Sequence, residues 1–94
     1  MEEGTSAVTH VDGAFVIEDG GKRLAETTYT LANNVMTMPH TWVDDSLRGH
    51  GVASKLVDTA VAYAREHHYK ILPVCSFVKA EFDKDPSIQD VRAA

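Results

Sequence analysis

The sequence predicts an α+β domain, an antiparallel β-meander followed by a β-α-β crossover. Three observations carry this. Extended runs at 14–18, 22–31 and 35–43 are separated only by turn signals. From Val52 the apolar residues recur at helical spacing. A further apolar run at 70–75 follows, far enough on for the chain to return parallel to the third strand.

Residues 1–13 are polar and glycine-bearing and read as a flexible lead-in, so the domain proper spans 14–94. Ala14-Phe15-Val16-Ile17-Glu18 has strand character, and Asp19-Gly20-Gly21 is a turn. Residues 22–31 are rich in threonine and end in Tyr29-Thr30-Leu31, again strand-like. Asn33-Asn34 turns the chain into a third strand, Val35 to Val43. Pro39 inside it marks either a bulge or a position that needs no ladder donor. Asp44 to Gly51 is a polar loop. Val52, Leu56, Val57, Ala60, Val61 and Ala64 form one face of a helix that ends near His67-His68. Lys70 to Cys75 reads as a fourth strand and 77–84 as a short helix broken by Asp85-Pro86. Residues 87–94 form a last short helix or a tail.

Composition narrows the function. A folded chain of 10.3 kDa buries roughly 64% of its unfolded surface, enough for one core without metal or disulfide staples. The net charge of −5 argues against a general nucleic-acid or acidic-membrane binder. Cys75 is the sole cysteine, and a lone thiol suits a reducing compartment. With no basic, apolar leader after Met1 and no run near the ~20 residues of a membrane helix, the expectation is a soluble, cytoplasmic domain. His67-His68 lacks a third ligand nearby in sequence, so no metal site is expected.

In the crossover plan, the third and fourth strands end at one edge of the sheet and the helix starts there, where α/β proteins place ligands. Gly49 and Gly51 flank that helix start, and Arg48 adds a cation. The first helical N–H groups have no internal partner and carry the positive dipole end, so a phosphate suits them. The plainer reading is a simple strand-to-helix turn. Neither the dinucleotide fingerprint nor the Walker A loop is present.

Arg48-Gly49-His50-Gly51-Val52-Ala53 resembles the R-x-x-G-x-G/A loop of the GCN5-related N-acetyltransferases (GNAT), which holds the pyrophosphate of acetyl-CoA. His40-Thr41-Trp42-Val43 before the loop and Pro73-Val74-Cys75-Ser76-Phe77-Val78 after the next strand resemble motifs of the small single-domain members. Tyr29 also matches. The likeness spans about residues 14–91. Trp42 and Ser76 depart from the residues usual there, and the early helices and final strands of full-length relatives are missing.

The resemblance implies a GNAT-like minimal domain with splayed parallel strands, 40–43 and 71–75, around the pantetheine arm. It assigns acetyl-CoA binding to Thr41, Trp42 and Val43 and to Arg48, Gly49, His50, Gly51, Val52 and Ala53. It places the thioester near Cys75 and implies transfer of the acetyl group to an amine. Cys75 is a nucleophile, a thiol lining the acyl site, or a small buried hydrophobe. His40 is a general base or a structural strand residue. On strand alternation His40 shares a face with Met36, Met38 and Trp42, unless Pro39 bulges the strand. The acceptor is a small amine or a protein lysine, and the acceptor pocket is open or completed by a second copy. The competing reading is a non-catalytic acyl-CoA-binding or sensing module, favoured by the short chain. A plain protein-interaction domain is the third.

Overall fold

Two tight turns organise the meander in the computed structural model, which describes residues 8–93. Gly20-Gly21 joins β2 (Ala14–Asp19) to β3 (Lys22–Ala32), pairing Asp19 with Lys22. Asn33 and Asn34, both left-handed, join β3 to β4 (Val35–Val43), pairing Ala32 with Val35. After the crossover helix α1 (Val52–His67), β5 (Lys70–Pro73) pairs parallel to β4. α2 (Ser76–Lys84) and a 3-10 helix, Pro86–Val91, complete the chain.

The sheet also has a strand that the sequence reading missed. β1 (Thr9–Val11) pairs antiparallel with β2, giving the order β1-β2-β3-β4-β5. Residues 9–13 are therefore a hairpin arm rather than part of a lead-in, while 1–7 lie outside the described residues. Its side chains explain the pairing. His10 stacks on Phe15 at 4.6 Å, meets Tyr63 edge-on at 4.5 Å and hydrogen-bonds the Tyr29 hydroxyl.

The six apolar positions of α1 named from periodicity are its six buried residues. Ala60 and Ala64 let the helix approach the sheet closely over Phe15, Ile17, Met36, Met38 and Ile71. Val78 and Phe82 of α2 and Ile88 and Val91 of the 3-10 helix close the same core. The C-terminal segment is a 3-10 helix because Asp85 caps it and Pro86 starts it. Arg65 clamps it to α1 through a bidentate pair with Asp90, at 2.7 and 2.9 Å. Among the described residues no helix is long and apolar enough to cross a membrane.

β5 is shorter than the predicted 70–75. Its last pair is Pro73 with Met38, after which Val74 N–H bonds Leu72 and Cys75 becomes the cap of α2. β4 continues paired to β3 only, so residues 39–43 have no partner in β5. The two parallel strands thus part at the sheet edge where α1 begins.

Candidate active site

Pro39 produces the bulge. Between the pairs Thr28–His40 and Thr30–Thr37, Met38 and Pro39 on β4 oppose Tyr29 alone on β3. One extra residue inverts the alternation beyond it. Met36 and Met38 are buried under α1, and past the bulge Thr41 and Val43 take the helix-facing side. His40 and Trp42 point to the other face. The expectation that His40 shares the face of Met36 and Met38 is thereby corrected, although it does share a face with Trp42.

The opening leads into a cavity of about 450 Å³. Thr41, Trp42 and Val43 form its strand wall, and Leu47, Arg48, Gly49 and Gly51 its loop wall. Val52, Ala53 and Ser54 supply the helix start and Phe77 the side of α2. Eight of the nine residues that the resemblance assigns to acetyl-CoA thus border one cavity. His50 is the ninth; it is exposed, does not border the cavity and spends its N–H on the Leu47 carbonyl at 3.3 Å. Leu47, Ser54 and Phe77 were not anticipated there.

The loop geometry follows from its glycines. Gly49 and Gly51 have φ of +82° and +71°, a conformation costly for residues with a Cβ. A Cβ on either would meet nothing within 4 Å, so sterics do not demand glycine there; the backbone angle does. Gly51 caps α1 without any side-chain hydrogen bond, and no acidic residue occupies the first turn. The N–H groups of Val52, Ala53 and Ser54 therefore face the cavity mouth with the positive dipole end and no internal acceptor. Arg48 borders the same mouth, with its Nε paired to Asp45 at 2.9 Å. That pair is exposed, hence weak, and an entering phosphate can compete for the guanidinium.

Cys75 stands behind Thr41 rather than in the cavity wall. Its Sγ donates to Thr41 Oγ1 at 3.6 Å. Thr41 Oγ1 lies 2.9 Å from the fully buried Thr27 Oγ1, which donates to the His40 carbonyl at 3.3 Å. Burial pushes the Cys75 thiol up, but the N–H groups of Val78 and Phe77 at the start of α2 and the Thr41 hydroxyl outweigh it, leaving the thiol below its ordinary value. Once the thiol proton is gone, the Thr41 hydroxyl can turn to donate to the thiolate, so removing it should raise the thiol again. Thr41→Val is therefore expected to slow alkylation of Cys75 by iodoacetamide at pH 7 by about two- to fivefold, as the thiolate fraction falls. An unchanged rate, read by intact mass, would remove Thr41 from control of the thiol.

His40 and Cys75 are not brought together. The His40 imidazole lies on the outer face of the sheet, with Nε2 3.2 Å from Glu26 Oε2. Cys75 contacts the helix-facing Thr41. The two candidates flank the opening from opposite sides.

Residues 14–91 match the sequence profile of the GCN5-related N-acetyltransferases. The chain belongs to this family. Among solved structures it is similar to the NMR structure of a GCN5-like candidate N-acetyltransferase from Staphylococcus aureus, at 38% identity and a TM-score of 0.79, covering 96% of this chain and 90% of that one. The crystal structure of a GNAT-family acetyltransferase from Staphylococcus aureus Mu50 shares the fold at 16% identity and a TM-score of 0.54, over 74% of this chain and 48% of that one. Beside that GNAT protein the present chain spans about half the length.

Proposed function

We propose that this protein transfers an acetyl group from acetyl-CoA to an amine. The observation that carries the reading is the cavity beside the parting of β4 and β5, bordered at its mouth by the start of α1, which has no side-chain cap. Its residues fit the donor. Free N–H groups at Val52, Ala53 and Ser54, with Arg48, suit a pyrophosphate. The stretch of β4 beyond Met38, unpaired to β5, offers backbone groups to the amides of a pantetheine arm, as an added strand would use them. Bound there, acetyl-CoA supplies an acyl group already activated as a thioester. Thr41 lines the inner side of the opening with Cys75 behind it, while His40 stands on the outer side.

This reading makes a paired prediction. Calorimetry should show acetyl-CoA binding, and CoA release should depend on an added amine such as spermidine or a lysine-containing peptide. Binding with no amine-dependent release across a panel of such amines would favour an acyl-CoA-binding module over a transferase. A folded protein giving no heat at millimolar CoA would reject both.

A further inference from the structure

We infer that Glu26 is a positioning residue that orients His40 as the general base at the outer mouth of the strand opening; this rests on the transferase reading. The bulge at Met38–Pro39 is what puts His40 there. Without the extra residue, His40 would lie under α1 with the methionines. With it, the imidazole emerges on the outer face two residues beyond the last β4–β5 pair. Glu26, on the neighbouring strand, pairs with Trp42, diagonal to His40 on the same face.

Both oxygens of Glu26 are engaged. Oε1 accepts from Arg23 Nη1 at 3.1 Å, and Oε2 faces His40 Nε2 at 3.2 Å. Its side chain is 22% exposed, against 53% for that of His40, so the carboxylate is the anchored partner and the imidazole the presented one. A carboxylate 3.2 Å from Nε2 favours, in the neutral ring, the tautomer protonated on that nitrogen, which leaves Nδ1 as the base. As a source of stability an exposed pair of this kind contributes little. Orientation of the ring is the larger consequence.

The proton balance is closed. His40 Nδ1 takes one proton from the acceptor ammonium, giving the free amine. Its lone pair forms the C–N bond as the thioester C–S bond breaks. The second proton leaves the nitrogen with the CoA sulfur, and His40 returns its proton to solvent. The outer face is then the side from which the acceptor approaches, because the cavity on the inner side is taken by the donor.

The experiment compares wild type, Glu26→Leu, Glu26→Gln and His40→Ala. Glu26→Leu should lower kcat about ten- to a hundredfold, with KM for amine and donor unchanged. Glu26→Gln, which keeps an acceptor oxygen, should recover most of the loss. His40→Ala should cost about a hundredfold or more. Independently of turnover, long-range 15N–1H correlation on the protein without acetyl-CoA should show neutral His40 as the Nε2–H form, with the Nδ1–H form appearing in Glu26→Leu. Wild-type kcat in Glu26→Leu, or an Nδ1–H ring in wild type, would overturn the assignment. Wild type that binds acetyl-CoA but releases no CoA with any amine would overturn the transferase reading instead. The imidazole spectrum would still report on the pair by itself.

Discussion

Gly51→Glu is expected to weaken acetyl-CoA binding by about a hundredfold or more while leaving the protein folded. The new side chain enters open space, since a Cβ at Gly51 meets nothing within 4 Å. Its left-handed backbone, φ +71°, costs about 1–2 kcal/mol for a residue with a Cβ. A carboxylate at the start of α1 offsets part of that, by about 0.3–1 kcal/mol, through the dipole and the orphan N–H groups. These are the donors a pyrophosphate would use. The carboxylate takes them, and it also repels the incoming anion. Two unit charges about 4 Å apart repel by about 4 kcal/mol near a protein surface, before salt screening. About 2.7 kcal/mol suffices for a hundredfold loss. Gly51→Asn separates the two causes, because asparagine accepts the left-handed angle and carries no charge. It should bind within about fivefold of wild type. Calorimetry with acetyl-CoA and a thermal melt on each variant check both expectations. Unchanged affinity in Gly51→Glu would remove the α1 start from the site.

The loop was legible because its parts are local. Two glycines, an arginine and an amphipathic run suffice to place a loop that opens a helix, and the buried face of α1 follows from its periodicity alone. The face occupied by His40 was not legible. Pro39 announced two possibilities, and only the pairing of β4 with β3 decides that Met38 and Pro39 oppose a single residue. That decision is long-range, and it inverts every side chain after it. The link from Cys75 to Thr41 to Thr27 joins β4 and β3 to the residue before α2, and sequence separation hides it. β1 leaves a faint trace in the sequence. Asp12-Gly13 is a hairpin signal, but the three residues before it are too few to show alternation. The pairing of Arg48 with Asp45 partly offsets the cation that the loop adds beside the helix start.

Phe82→Ala should have the largest effect on stability, about 3–5 kcal/mol. Phe82 is fully buried, and α2 is only nine residues long. A helix that short does not hold itself together in water, so its place depends on what it buries. Val78 and Phe82 are its apolar anchors, and Arg92 lies 5.8 Å from the Phe82 ring centroid, tying in the 3-10 helix that follows. Truncation opens a cavity between α1, α2 and that segment and also removes the cation–π contact. In a domain of this size each kcal/mol moves Tm by about 4–8 °C, so a fall of about 20 °C is expected in a thermal melt. Phe82→Leu keeps most of the volume and should cost under about 1.5 kcal/mol. The consequence for the site is specific. α2 begins at Cys75 and carries Phe77 into the cavity wall, and its first N–H groups hold the thiol below its ordinary value. If α2 is anchored by Phe82, then at temperatures where Phe82→Ala is still mostly folded, Cys75 should already alkylate at a rate nearer that of a free thiol. A fall in Tm of less than 5 °C, with unchanged Cys75 reactivity, would show that α2 is held by something other than this ring.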